Sequence, residues 1–470
     1  MSKTKQTKES LLLELSSIML EPWLKPHIEA IGRIRTDLLG FTTDEEEIDL
    51  TNKIRAKIQK EGIEAWKYYG KEKTQIRGAI IAATGIGKSK MAIDAIMEYM
   101  KDPEYMPNIL VVVPTERLRD TGWREEFKKW NALSAYVNAV ETICYASLDT
   151  VKGKNYDLVV LDEGHNITTA NSVFFTNNTV KDIMMLTATK PTSFEKVAIL
   201  QAVRVKPVYE MSLDEAVKLG IVAPYSVTVV TMPVDKTRKY IKKWKRSEVM
   251  CTEAEMLNYH NMSVFTAKNP RARLNRMQFI YKLQSKTEAS KRLLAMVGEE
   301  LKGIIFCANK AQAIELCDYR YFTKPSLAKA DAKDLDKIKE YRELLDNWQG
   351  NSSLNKFLLG EINRVSCVNA LNEGHNLGMI DVAFIAQLNS KQLHFIQRIG
   401  RILRWYGEHK GEIVILVARD TIDEEWARKA TRGLETGNIK WLRIEDVLEG
   451  RETLLNNNNI IYEPAETANI

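Results

Sequence analysis

The sequence predicts an α/β protein with two parallel-sheet units in tandem. Three observations carry that prediction. Short apolar, β-rich runs alternate with helical stretches, the alternation occurs as two series on either side of a basic segment, and every run of the first series ends in a polar motif. The first series is Arg77–Ala82 (RGAIIA), Ile109–Val113 (ILVVV), Leu158–Leu161 (LVVL) and Ile183–Leu186 (IMML), followed by ATGIGKS, PTER, DEGH and TAT respectively. Ligands of open parallel sheets bind beyond the carboxyl ends of the strands, so four motifs at four strand ends are expected to converge on one crevice. The second series is Gly303–Cys307 (GIIFC), Val365–Val368 (VSCV), Val382–Ile385 (VAFI) and Glu412–Leu416 (EIVIL). It has no glycine-rich phosphate loop, so a bound nucleotide is expected to be held mainly by the first unit.

Around these series the chain divides into an N-terminal helical accessory segment, 1–50, and a first sheet unit, 51–231. A basic helical insert, 232–285, a second sheet unit, 286–430, and a C-terminal tail, 431–470, complete it. A further charged helical stretch is expected between Ala328 and Trp348. The length of 470 residues suits two or three domains, and 44% hydrophobic with 28% charged residues excludes disordered and fibrous classes. The 68 Lys and Arg against 62 Asp and Glu leave +6, which permits an anionic partner without requiring one. The five cysteines form no C-x-x-C pair, which argues against a zinc finger or a disulfide framework and suits a reducing compartment. The first apolar run is broken by Glu14 and lacks a cleavage site, and no stretch is long and apolar enough to span a bilayer, so a cytoplasmic protein without a membrane partner is expected.

The phosphate-binding candidates are Thr84, Gly85, Ile86, Gly87, Lys88 and Ser89, which match the phosphate-loop pattern except that Ala82 replaces its first glycine. Gly85 and Gly87 let backbone N–H groups turn toward phosphate oxygens, and the next helix presents its positive end. Lys88 can reach the β and γ phosphates of ATP, and the Ser89 hydroxyl can ligate Mg²⁺. Asp162 and Glu163 end a buried strand, where adjacent carboxylates are costly without a cation. Asp162 therefore suits the Mg²⁺ shell, and Glu163 suits orientation and deprotonation of an attacking water. A solvated strand-end turn is the alternative, and His165 on its own reads as a structural hydrogen-bonding residue.

With ATGIGKS before it and Thr187-Ala188-Thr189 after it, Asp162-Glu163-Gly164-His165 resembles motifs I, II and III of the superfamily 2 helicases. In the second series, Asn372–Leu377 (NEGHNL) resembles motif V, and Gln397–Arg404 (QRIGRILR) resembles motif VI. The likeness runs from about Gln59 to Asp420. It is closest to the branched-DNA repair helicases and annealing enzymes of the UvsW, RadD and XPB type, on YEMSLDEAVKLGIVAPY and SKQLHFIQRIGRILRWYGEHKG, which suggests a phage or bacterial genome-maintenance enzyme. Asn376 and Gly378 depart from the usual motif V wording. The resemblance implies two RecA-like domains, ATP and Mg²⁺ as cofactors, and 3′ to 5′ movement on DNA, single-stranded or branched, with a monomer favoured.

It also implies roles for single residues. Gln397, Arg401 and Arg404 would act on the γ-phosphate, the two arginines lying three residues apart and hence on one helix face, so that ATP would close a cleft that hydrolysis reopens; a solvated basic helix face or phosphate contacts to nucleic acid are the alternative. Gly374 would line the nucleotide. Thr187 and Thr189 would couple nucleotide state to strand contact, unless the turn only caps a helix. Gln59 stands at a suitable distance before the phosphate loop to read adenine, with an ordinary surface glutamine as the equal alternative. Pro114, Thr115 and Arg117 resemble motif Ia, a sugar–phosphate contact largely independent of base sequence.

The basic segment Lys236–Arg246 reads as a helix on which Lys239, Tyr240, Lys243 and Trp244 combine phosphate neutralisation with base stacking, against the alternative of a solvated helix with its aromatics packed inward. An RNA helicase is the competing enzyme reading, because the DEGH box is close to a DEAH spelling, and a nucleotide-gated clamp without turnover is the non-enzymatic one. Replacing Arg404 with Ala is expected to lower ATP hydrolysis by about 10³-fold or more, as measured by phosphate release.

Overall fold

A computed structural model describes residues 7–38, 41–70, 75–102, 104–237, 239–244, 247–266, 270–325, 335–368, 377, 380–388 and 410–455. They form two compact units that meet in the chain at Pro224 and Tyr225. Among the described residues no helix is long and apolar enough to cross a membrane.

The first unit contains six parallel strands: β1 Arg77–Ala82, β2 Ile109–Val113, β3 Val140–Cys144, β4 Asn155–Leu161, β5 Thr179–Thr187 and β6 Lys206–Met211. Their order across the sheet is β3-β2-β4-β5-β1-β6, every pair parallel. The four strands predicted from the motif-bearing runs are therefore the four central ones. They are buried on both faces, which is why they read as continuous apolar runs instead of alternating ones. On one face, Leu110, Val112, Val159, Leu161, Ile183, Met185 and Phe174 pack into a core. The outer strands are not legible as apolar runs. β3 is half-buried, and β6 carries Lys206 and Pro207, residues suited to an edge.

The N-terminal helices α1 Lys8–Leu20, α2 Ile28–Leu38 and α3 Asp44–Gly70 also belong to this unit. The expected boundary at residue 50 falls inside α3 and is corrected. This helix buries Ile54, Ile58, Ile63 and Trp66, and the Trp66 indole donates to the Ile183 carbonyl of β5 at 3.0 Å. A helix whose apolar side is sealed against the sheet cannot be a detachable accessory.

The second unit has a seven-stranded sheet of β7 Tyr225–Met232, β10 Gly303–Phe306, β11 Arg320–Tyr321, β12 Arg364–Cys367, β13 Val382–Ile385, β14 Gly411–Ala418 and β15 Ile439–Arg443. Between β7 and β10 in the chain lie β8 Lys239–Trp244 and β9 Ser247–Thr252. The sheet order is β11-β12-β10-β13-β14-β7-β15. Two expected boundaries move and the start of the insert changes its element type. The segment expected to end the first unit, up to residue 231, supplies β7, which pairs from Tyr225↔Gly411 to Met232↔Ala418. The expected tail supplies β15, beside β7, and buries Leu454 and Leu455 in the second core. The expected helical insert begins as an antiparallel hairpin, β8 against β9, before the helices Glu253–Thr266 and Pro270–Tyr281.

That hairpin corrects the reading of Lys239, Tyr240, Lys243 and Trp244. In a strand the rise of roughly 3.3 Å per residue separates the backbones at 240 and 244 by about 13 Å, so they are not one helical turn apart. Lysines interspersed with β-prone Tyr, Ile and Trp suit a two-stranded ribbon as well as a helix, which is why the charge pattern alone does not decide. The insert is tied down by Glu253, 4% exposed, whose Oε1 accepts from the Gln284 and Ser285 N–H groups at 2.8 and 3.2 Å. This satisfies donors at the start of the helix Gln284–Ala295. The charged stretch expected near 328–348 contains the helix Leu335–Asp346.

Inside the second unit Lys286 is fully buried, ion-paired with Asp423 and donating to Gln387 Oε1 at 2.7 Å, while Gln387 Nε2 donates to Asp423 Oδ1 at 3.0 Å. Burial pushes the lysine down and Asp423 opposes that shift. Removing one partner strands the other charge, so Lys286→Ala is expected to cost about 3–5 kcal/mol of unfolding free energy in urea titrations, and the double change Lys286→Met with Asp423→Leu much less.

Candidate nucleotide site in the first unit

β1 ends at Ala82 and the chain turns through Thr84–Gly87 into α4, Lys88–Tyr99. Gly85 and Gly87 have φ of 96° and 100°, a region closed to most side chains, and this is the physical reason for both glycines. A Cβ on Gly87 would also collide with the Gln59 amide. Gln59 lies on α3 and is 9% exposed, and its Nε2 donates to the Ile86 carbonyl at 2.8 Å. The structure thus places this residue against the phosphate loop and not on a solvated helix face. The Lys88 ammonium curls back onto the Ala82 carbonyl at 2.9 Å, and Ser89 occupies the first turn of α4.

β4 delivers Asp162 and Glu163 to the same edge. Asp162 is 8% exposed, its Oδ2 accepts from the Trp123 indole at 3.0 Å, and its carbonyl accepts from the Tyr145 hydroxyl at 3.0 Å. Burial first, then the negative charge of Glu163, raise the Asp162 carboxyl well above the usual carboxylate range, while Trp123 and Lys88 oppose the shift. An added cation would favour the ionised form. Glu163 takes a left-handed backbone, φ 47° and ψ 53°, at a cost of about 1–3 kcal/mol for a residue with a side chain.

Gly164 then passes so close to β5 that a Cβ would stand 2.8 Å from Met185 Cε. His165 is 5% exposed, with Nδ1 3.2 Å from Thr187 Oγ1 and 3.5 Å from Glu163 Oε2. The Thr187 hydroxyl, within hydrogen-bonding reach of His165 Nδ1, also lies 3.0 Å from the Thr189 carbonyl, to which it donates. Thr187 therefore closes its own turn and does not cap the following helix, Phe194–Ala202, and its hydroxyl also lies against His165, which links β5 to β4.

Among the described residues, the buried Thr84 Oγ1 and Glu163 Oε2 have no hydrogen-bond partner. An unbonded hydroxyl in the turn after β1 and a carboxylate oxygen beside Asp162 approached only by His165 at 3.5 Å are what a site needing a ligand leaves open. The donor set also fits the implied groups. Hydroxyl and carboxylate oxygens suit Mg²⁺, which is commonly held by one or two carboxylates together with substrate phosphates.

Pro114 and Thr115 come after β2 partly exposed, and Arg117 is exposed. Gln397, Arg401, Arg404 and Gly374 lie outside the described residues. Sequence reasoning misses Trp123 and Tyr145. Their only signal is that buried Trp and Tyr need polar partners, which does not reveal the partner. It also undervalues His165, whose role is visible only once β4 and β5 are neighbours.

Residues 51–145 match the family profile described as type III restriction enzyme, res subunit, and residues 285–406 match the helicase conserved C-terminal domain. The chain is 25% identical over 420 residues to the DNA 3′-5′ translocase XPB2 of Sulfurisphaera tokodaii, covering 84% of this chain and 87% of that protein. Among solved structures, the ATP-dependent type ISP restriction-modification enzyme LlaBIII bound to DNA is 14% identical with a TM-score of 0.48, over 82% of this chain and 31% of that one. The Hef helicase domain of Pyrococcus furiosus is 13% identical with a TM-score of 0.43, over 79% and 98%.

Gly87→Ala is expected to displace Gln59, strain the loop and weaken nucleotide binding at least tenfold, as read by titration with a fluorescent ADP analogue.

Proposed function

We propose that the chain is a superfamily 2 helicase, a nucleic-acid-dependent ATPase that couples ATP hydrolysis to 3′ to 5′ movement on DNA, opening or remodelling branched duplexes; the two matched profiles and the XPB2 relative support this reading. The observation that carries this reading is the convergence, at the carboxyl ends of β4 and β1, of the buried Asp162, the half-buried Glu163 and a glycine turn whose Thr84 hydroxyl has no hydrogen-bond partner among the described residues. The relative named a DNA 3′-5′ translocase supports DNA as the track and supports its polarity.

In this reading the N–H groups of Thr84–Ser89 cradle the phosphates, Lys88 leaves the Ala82 carbonyl for the β and γ phosphates, and Gln59 sits where it can read the base. Ser89 and Asp162 would hold Mg²⁺, which supplies charge neutralisation on the phosphate oxygens. Glu163 orients the attacking water and takes its proton, with His165 beside it to pass the change to Thr187 and Thr189. Gln397, Arg401 and Arg404 stabilise charge on the γ-phosphate, and Gly374 contributes to the nucleotide site. Pro114, Thr115 and Arg117, with the hairpin residues Lys239, Tyr240, Lys243 and Trp244, contact the strand through phosphates and stacking, so affinity falls steeply with salt. A monomer suffices for this chemistry.

The test is steady-state ATPase without polymer and with single-stranded DNA, forked DNA or RNA. Forked and single-stranded DNA are expected to stimulate the wild type, and Glu163→Gln is expected to bind ATP with turnover lowered by about 10²-fold or more. Stimulation by RNA alone would replace DNA as the track. Absence of turnover with every polymer would convert the reading to a nucleotide-gated clamp.

A further inference from the structure

The segment after β2 leaves the sheet at Pro114, runs through Thr115 and Arg117, and enters a π-helical turn, Leu118–Gly122, before the helix Trp123–Lys129. The Trp123 N–H bonds the Leu118 carbonyl five residues back. One extra residue in a helical turn rotates the residues beyond it by roughly 100°, and such turns serve to re-aim a side chain. Here the re-aimed side chain is Trp123, 2% exposed, whose indole N–H reaches Asp162 Oδ2 at 3.0 Å.

A buried tryptophan is ordinarily explained by its area. Packing on Phe127, with ring centroids 6.1 Å apart, meets that need. It does not require that the indole donate to a carboxylate at the nucleotide site, when any backbone carbonyl would satisfy the N–H. A charge-assisted hydrogen bond from a rigid two-ring donor commits one oxygen of Asp162 and fixes the rotation of its carboxylate. The same ring joins the chain directly after the π turn that begins next to Arg117, so its position depends on the segment read as a strand contact.

We propose that Trp123 is a positioning residue. It holds the Asp162 carboxylate in the orientation that receives Mg²⁺, and the π turn makes that orientation depend on what Thr115 and Arg117 touch. The proposal rests on the reading of Asp162 as the metal carboxylate. Strand binding that shifts the Thr115–Gly122 segment then changes metal affinity through one hydrogen bond, a route for polymer stimulation that runs within the first unit.

The full chain is titrated with a fluorescent ADP analogue, monitored by anisotropy, in Mg²⁺ and in EDTA. Trp123→Phe, which keeps an aromatic ring and loses the donor, is expected to weaken binding roughly tenfold in Mg²⁺ and by less than about twofold in EDTA. Trp123→His, which keeps a ring N–H, recovers most of the loss. Trp123→Phe combined with Asp162→Asn binds no more weakly than Asp162→Asn alone, because the indole acts through that carboxylate. Single-stranded DNA is expected to tighten binding of the ADP analogue by the wild type in Mg²⁺ but not in EDTA, and Trp123→Phe to lose that gain; a gain that Trp123→Phe retains would overturn the coupling. Equal losses in Mg²⁺ and EDTA, equal impairment by Phe and His, or additivity with Asp162→Asn would reduce Trp123 to a packing residue and overturn the proposal. Should Asp162→Asn leave Mg²⁺-dependent binding intact, the assignment of the carboxylate itself falls, and the proposal with it.

Discussion

Two adjacent carboxylates at the buried end of a strand repel one another and are poorly solvated, and the site in the first unit is arranged around making that tolerable. Asp162 receives an indole N–H, feels the Lys88 ammonium and sits at 8% exposure. Glu163 accepts a left-handed backbone and, among the described residues, keeps one oxygen without a hydrogen bond. The indole bond and Lys88 offset only part of the cost of burying Asp162, and the left-handed backbone of Glu163 adds to it. Both arrangements make sense where a cation and a polyanion complete the charge balance, so the site is organised for a ligand that the fold itself does not supply.

Strand order turns this local strain into communication. Because β4 lies between β2 and β5, side chains that steady the carboxylate pair come from segments at the ends of both neighbouring strands. Trp123 comes from the segment after β2, and Thr187, reached through His165, from the end of β5. α3 approaches the phosphate turn separately, through Gln59 on the Ile86 carbonyl. A displacement after β2 or at the end of β5 reaches the carboxylates within one or two bonding contacts, and a displacement of α3 reaches the phosphate turn within one.

What can be read from the sequence divides along physical lines. Runs buried on both faces, such as ILVVV and LVVL, announce themselves by continuous hydrophobicity, and the motifs that come after them fix where chemistry must sit. Half-buried and edge strands such as β3, β6 and β15 have mixed composition, because part of each meets solvent or a polar loop, and no apolar run marks them. Most of β7 falls inside the expected first unit, 51–231, only because it is close to it in sequence. Its partners, β14 and β15, lie far along the chain, and no local pattern encodes a pairing of that range. The lysine-rich hairpin reads as a helix for a related reason, since its strand geometry depends on a cross-strand partner and not on its own periodicity. The Trp123–Asp162 bond is invisible in sequence because composition says that a buried indole needs an acceptor without saying which.

The placement of β7 has a bearing on how the protein is made. A ribosome releases Tyr225–Met232 long before it has synthesised either strand that will flank them, and until then YSVTVVTM is an apolar ribbon with two bare hydrogen-bonding edges. The leading unit can close on its own sheet while the trailing one waits for nearly its whole length to emerge. Chains interrupted upstream of Gly411 would carry this unpaired strand into solution, where the simplest remedy is another chain in the same predicament.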